Sequence, residues 1–304
     1  MKLHNNVDLF NDLIERTSDY YLLDAGYIEK DYFVTSILKE LVFRVPHLIF
    51  KGGTSLSKCH KIIDRFSEDI DLTLEADFQT EGQKRKMKQE VINVCDSLDL
   101  KLNNFENIRS RRDYNCYNIS YPIIHPSMIL KSILLVETTY ITKAFPCEMK
   151  QVTSFIYDYL NKIGKNDLIE KYELQPFEIR VQTLDRTLVD KVFAICDYFI
   201  DNKTDRNSRH IYDISCLLNE VKLDDNLKKL IIEVREDRKD GKKAYSAKDG
   251  VSVPLLLRQI IDSKFFKKDY ESSTYGLLSK GVKYEDAIKA LEVIIDSKVF
   301  ELDN

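Results

Sequence analysis

Asp69 and Asp71 stand two residues apart in an alternating segment, Asp69-Ile70-Asp71-Leu72-Thr73-Leu74. A strand repeats its side-chain direction every second residue, so both carboxylates point to one face. Neighbouring carboxylates repel each other, and a divalent cation neutralises such a pair. Upstream, the apolar triplet Leu48-Ile49-Phe50 runs into Gly52-Gly53, with a short helix expected from Ser55 to Ile63. A double glycine lets the backbone approach a bulky anion, and a helix start aims free N–H groups and a positive dipole end at it. The stretch from Leu48 to Leu74 therefore reads as a site for a metal-bound triphosphate.

Gly52-Gly53-Thr54-Ser55-Leu56-Ser57-Lys58, followed by Ser67-Glu68-Asp69-Ile70-Asp71, closely resembles the first two motifs of the AbiEii/AbiGii toxin family of nucleotidyltransferases, members of the DNA polymerase β-type superfamily. Either motif alone is weak; their order, the 16 residues from Gly53 to Asp69 and the intervening Arg65-Phe66-Ser67 carry the resemblance. Two later stretches are similar to the family's third and fourth motifs. Thr183 to Ala194 carries Lys191, with Asp190 immediately before it, and Arg209-His210-Ile211-Tyr212-Asp213-Ile214 carries Asp213. Ile28 to Val34 also looks like the family's N-terminal helix, where a solvated charged face is expected of Glu29, Lys30 and Asp31. The resemblance spans most of residues 27 to 218.

The resemblance implies Asp69, Asp71, Lys191 and Asp213 as catalytic residues, and a nucleoside triphosphate held by Gly52, Gly53, Thr54, Ser55, Lys58 and Arg209. A polymerase β-like fold places a third acid on a strand beside the pair. Glu137 is the acid offered by the β-branched segment Ile129 to Thr138, so Asp69, Asp71 and Glu137 are the expected ligands of Mg²⁺. The metal would align an acceptor hydroxyl with the α-phosphorus and stabilise the leaving pyrophosphate. Lys191 would add positive charge at the phosphates from a second lobe, Asp213 would orient it or contact the acceptor, and the cleft would lie at the junction of the lobes. The biological role implied is the toxin of a bacterial toxin–antitoxin pair tied to abortive phage infection. An RNA acceptor, with tRNA as the candidate, follows from the same resemblance, as does a cognate antitoxin acting on the operon without a stable complex.

The remaining elements must position these residues. The fold class expected is α+β and two-lobed: a nucleotidyltransferase domain over 1–183, with a mixed sheet flanked by helices, then a helical domain over 184–304. The 304 residues are 43% hydrophobic, ample for a core, and nine glycines with six prolines argue against disorder. Amphipathic stripes predict two N-terminal helices, the second ended by Pro46, and a helix from Glu81 to Leu98. Alternation predicts strands over Lys101 to Ile108, Tyr114 to Tyr121 and Phe177 to Thr183. A helix is expected over Ser154 to Lys162, with a polar linker after it. Beyond residue 183 helices are expected over Leu184–Ile200, Arg209–Leu218, Leu227–Arg238, Val253–Ile261 and Tyr284–Phe300.

Net charge is −4, so a nucleic-acid partner must be held by a local basic patch rather than by global charge. Arg109, Arg111 and Arg112 beside Tyr114 and Tyr117 are the first choice, and the Lys84-to-Lys88 run the second. Six cysteines without C-x-x-C spacing predict reduced core thiols. The N-terminus lacks an apolar signal core and no run of about 18 apolar residues occurs, so no membrane partner is expected and a cytoplasmic protein is. Two other function classes share part of the pattern. A nucleotide-sugar glycosyltransferase also uses D-x-D but lacks the glycine turn upstream and the helical lysine–aspartate pair. A catalytically silent binding module would not need both acids, both glycines, Lys191 and Asp213.

Overall fold

Leu48–Lys51, Asp69–Leu74 and Leu134–Thr139 form three neighbouring strands of one sheet. The computed structural model describes residues 2–65, 67, 69–127 and 130–302. Its chain divides into two units, the first made of Met1–Cys59, Ser67–Tyr140 and Cys147–Val181, the second of His60–Phe66, Ile141–Pro146 and Gln182–Asn304. A single cut near residue 183 takes no account of the two short excursions that join the second unit.

The first unit holds α1 (Val7–Tyr21), α2 (Ala25–Arg44), β1 (Leu48–Lys51), α3 (Gly52–Lys58), β2 (Asp69–Leu74), α4 (Glu81–Ser97), β3 (Lys101–Leu102), β4 (Tyr114–Ser120), β5 (Leu134–Thr139), β6 (Cys147–Val152), α5 (Phe155–Lys162), α6 (Asn166–Lys171) and β7 (Phe177–Gln182). The seven strands run β3-β4-β5-β2-β1-β7-β6. β1 lies antiparallel to β2 and parallel to β7, and β2 is parallel to β5, so the sheet is mixed and the α+β class holds. Ile70, Leu72 and Val136 on one face are fully buried and share a core with Phe10, Ile14, Phe33, Ile37, Leu41, Val91 and Ile156 from the helices. α2 stops at Arg44, with Val45 as its cap before Pro46, because a proline bars helical backbone at the residue preceding it.

The charged run of α2 is not the solvated face expected of it: Glu29, Lys30 and Asp31 are buried. Each serves polar groups that would otherwise be stranded. Glu29 accepts from the N–H groups of Ile124 and His125 at 2.8 and 3.0 Å, and Lys30 Nζ donates to the carbonyls of Lys131 and Ile133 at 2.8 and 2.9 Å. Asp31 accepts from Lys58 Nζ at 2.5 Å and from the Phe155 N–H at 3.0 Å. Burial raises the Glu29 carboxyl above its ordinary range, against the pull of the two N–H donors.

Three further elements differ from expectation. The strand expected over Lys101 to Ile108 stops at Leu102, because Asn104 bridges to β4 with its side chain, donating to the Cys116 carbonyl at 2.8 Å and accepting from the Asn118 N–H at 2.9 Å. A 3₁₀ turn, Phe105–Asn107, follows. The strand expected from Ile129 begins at Leu134; Ile129 itself lies outside the described residues. α6 arises where a polar linker was expected, and β6, for which no element was expected, is a polar strand at the sheet's edge.

The second unit is helical: α7 (Leu184–Ile200), α8 (Arg209–Leu217), α9 (Asp225–Arg238) and α10 (Val253–Ser263), then Tyr284–Ala287 and Lys289–Ser297. Thr183 caps α7 by accepting from the Arg186 N–H. Leu188, Val192 and Ile195 of α7 are fully buried, as are Ile211, Ile214 and Leu217 of α8 and Leu257 of α10. The helix expected over Tyr284 to Phe300 is broken at Ile288. Cys59, Cys95 and Cys196 are buried thiols, and Cys116, Cys147 and Cys216 are half-buried. No helix among the described residues is long and apolar enough to cross a membrane.

Candidate functional site

The sequence places glycine where β1 turns into α3, and the geometry explains why. Gly52 has a φ of +78°, and a Cβ there would lie 1.9 Å from Asp71 Oδ2. The acid thus packs against the Cα of the glycine turn. α3 starts at Gly52 rather than Ser55, since this residue changes the chain's direction by itself. Ser55 is fully buried and its Oγ donates to the Gly52 carbonyl at 2.8 Å. Thr54 Oγ1 donates to the Asp69 carbonyl at 2.5 Å and lies 2.9 Å from Ser67 Oγ. The Ser55 hydroxyl thus braces the turn itself, and the Thr54 hydroxyl holds it against the acid strand. Lys58 Nζ is engaged by the buried Asp31.

Asp71 faces Glu137 directly across the parallel pairing of β2 and β5, and Asp69 faces Leu135. In-register residues of parallel strands share a face, so the pair and the third acid stand on the side opposite Ile70, Leu72 and Val136. On β4, Cys116 faces Glu137. Burial first, and then the Glu137 charge, pushes the Cys116 thiol up to about 11. Burial and the same acid, which also hydrogen-bonds the phenol, raise Tyr114 above its ordinary range. Lys131 Nζ lies 3.6 Å from Asp69 Oδ1.

Among the described residues no three His, Cys, Asp or Glu side chains are gathered into a metal cage. The donor set still fits a hard divalent cation: three carboxylates stand on two adjacent strands and one face, and the Cys116 sulfur that faces Glu137 is kept as a protonated thiol rather than a soft thiolate ligand.

Lys191 and Asp213 meet within the second unit. Lys191 Nζ donates to Asp213 Oδ2 at 2.6 Å, and Arg65 clamps the same carboxylate through Nε at 2.6 Å and Nη2 at 2.8 Å. The ammonium on an apolar helix thus has the anionic partner it needs, and Asp213 is fully buried. Burial opposes the Asp213 charge, but Arg65 and Lys191 outweigh it and hold the carboxyl far below its ordinary range. Burial lowers Lys191, with Arg65 and Arg209 adding to the effect and Asp213 opposing it. His210 Nδ1 lies 3.4 Å from Lys191 Nζ, and burial with the charges of Lys191 and Arg209 drives that imidazole well below 6.5. Arg209 is half-buried at the start of α8. Asp190, next to Lys191 in sequence, accepts instead from Gln182 Nε2 at 3.0 Å and Arg186 Nε at 3.2 Å.

Spacing alone does not single out Arg65, which is 3% exposed. Its place inside the interval between the glycine turn and the acid pair is the signal that marks it.

A model of the family described as nucleotidyl transferase AbiEii toxin, type IV TA system, matches residues 36–290. The chain belongs to the AbiEii family. That match spans both units and takes in the glycine turn, the three acids, Lys191 and Asp213. AbiEii membership makes the protein a nucleotidyltransferase toxin of a type IV toxin–antitoxin system, with a nucleotide substrate and an antitoxin partner. No curated protein matches the chain.

Proposed function

We propose that this AbiEii-family protein transfers a nucleotide from a nucleoside triphosphate to an RNA acceptor, with tRNA as the candidate, in a Mg²⁺-dependent reaction. The observation that carries the reading is the register of Asp71 beside Glu137, with Asp71 packed on the Cα of Gly52. Asp69, Asp71 and Glu137 would hold the cation, which when bound offsets phosphate charge and stabilises the leaving pyrophosphate. The glycine turn offers backbone N–H groups to the phosphate chain, with Thr54 and Ser55 holding that turn in shape. Within the triad of Arg65, Lys191 and Asp213, two cations face one carboxylate. Its surplus positive charge suits a phosphate anion, and this is the part proposed for Lys191 and Asp213, with Arg209 beside them.

The acceptor surface proposed is basic and carries aromatics. Arg109, Arg111 and Arg112 are exposed in the connection from β3 to β4, and two contacts join that connection to α4. Lys84 Nζ donates to Asp113 Oδ1 at 2.8 Å, and Lys88 Nζ donates to the Ile108 carbonyl at 3.1 Å while lying 4.9 Å from the Phe105 ring centre. The two basic segments therefore form one surface, on which Phe105 and Tyr114 are about half exposed. Unpaired bases stack on such rings while guanidinium groups take the phosphates. A cytoplasmic setting, and an antitoxin that acts on the operon without a stable complex, belong to the same proposal.

The test is incubation of the purified protein with each α-labelled nucleoside triphosphate, Mg²⁺ and total RNA. Label entering an RNA species, and lost on chelation, is expected. Label entering no RNA, or transfer that survives chelation, would contradict the proposal.

A further inference from the structure

Two lysines of the first unit meet carboxylates in opposite circumstances. Lys58 Nζ is 2.5 Å from Asp31 Oδ1, with the two side chains only 7% and 5% exposed, so that pair is locked into the fold. Lys131 Nζ is 3.6 Å from Asp69 Oδ1, with side chains 31% and 16% exposed. At 3.6 Å this is an ion pair beyond hydrogen-bond range, and Asp69 Oδ1 itself is buried, so the ammonium neutralises the carboxylate without locking onto it. Yet the backbone beneath Lys131 is fixed with care. The fully buried Lys30 donates to the carbonyls of Lys131 and Ile133, at 2.8 and 2.9 Å. A rigid anchor under a displaceable ammonium beside an expected metal ligand is the arrangement of a replaceable counter-ion.

We propose that Lys131 is a stand-in cation: it neutralises Asp69 before the metal arrives, gives the carboxylate up to the metal, and then meets the triphosphate with its freed ammonium. The inference rests on the reading of Asp69, Asp71 and Glu137 as metal ligands. Without a stand-in, three acids on one face of two adjacent strands would repel one another in the metal-free protein. With too strong a one, the metal could not compete. A part-exposed lysine on a fixed backbone meets both demands.

The test uses the full-length parent with Lys131→Met, Lys131→Arg and Asp71→Asn. Mn²⁺ binding is followed by electron paramagnetic resonance, and binding of nonhydrolysable analogues of the four nucleoside triphosphates by calorimetry at saturating Mn²⁺. Lys131→Met should bind Mn²⁺ about threefold or more tighter, since its competitor is gone, and should bind the preferred triphosphate analogue about tenfold weaker. Lys131→Arg should stay within about twofold of the parent in both. A merely structural lysine would weaken both affinities in Lys131→Met, and that result, or an unchanged affinity for either ligand, overturns the inference. If Asp71→Asn binds Mn²⁺ as the parent does, the metal site falls and the inference with it; if Asp71→Asn loses the metal while Lys131→Met gains none, the inference falls alone.

Discussion

At Gly52 a positive φ and a carboxylate against the Cα coincide, so an alanine is refused twice. Its backbone would be strained by about 1–2 kcal/mol, and its Cβ would fall 1.9 Å from Asp71 Oδ2. The acid must then move, and displacement of a reacting group by an ångström costs on the order of 100-fold in rate. Gly52→Ala should therefore lower transfer about 100-fold while the folded protein survives in a thermal melt; transfer within twofold of the parent would contradict that. His210 yields a second residue-scale expectation. The folded chain keeps it neutral, whereas the unfolded chain takes up a proton near pH 6.5, so unfolding binds a proton below that pH. Stability should thus be complete above pH 6.5 and decline as pH falls toward 5.5, by up to about 1.4 kcal/mol per unit. Denaturant unfolding of His210→Gln over that window should show a shallower decline than the parent's, and equal slopes would count against it. Asp213 has the same sign, but its window lies below the ordinary carboxylate value of 3.8. The acid pair could be read from sequence because a two-residue period is local. The partner of Arg65 could not, since Asp213 lies 148 residues away.

The elements were legible where periodicity is strong and unbroken. α7 runs from Leu184 to Ile200 as its apolar stripe predicts, and β2 begins at Asp69 as alternation predicts. They were less legible where side chains replace backbone pairing. Asn104 ends the β3 ladder early, and the buried Lys30 takes two carbonyls before β5 begins. α2 is the clearest case, because a charged triplet on a helix looks solvated unless the irregular backbone it serves is known. Asp31 tests this: Asp31→Ala would leave Lys58 buried without its carboxylate and the Phe155 N–H without its acceptor. Removing one partner of a buried ion pair costs about 3–5 kcal/mol. Urea unfolding should show a loss of that order, and a loss under about 1 kcal/mol would mean that the pair is solvated after all.

Across the whole molecule a net charge of −4 opposes any polyanion, so an acceptor must be held by focused charge. Composition made that requirement legible, but not that the lysines of α4 and the arginines before β4 share one surface; this depends on contacts 20 and 29 residues apart. An Arg109/Arg111/Arg112 triple alanine variant should weaken RNA binding and lower its salt slope by roughly two to three units, a little under one per lost phosphate contact. Triphosphate affinity should not change. An unaltered slope would remove this surface from the account, and a loss of triphosphate affinity would assign the arginines to the nucleotide instead.

The account as a whole depends on the acids that face one another from β2 and β5. The measurement that tests it most directly is the rate of nucleotide transfer by Asp69→Asn and Asp71→Asn across a Mg²⁺ titration, with each variant's melting temperature beside it. Each substitution removes one anionic ligand and leaves the strand's shape unaltered, so melting should match the parent while transfer falls by at least about 100-fold. Full transfer by either variant at ordinary Mg²⁺ concentrations would contradict the account.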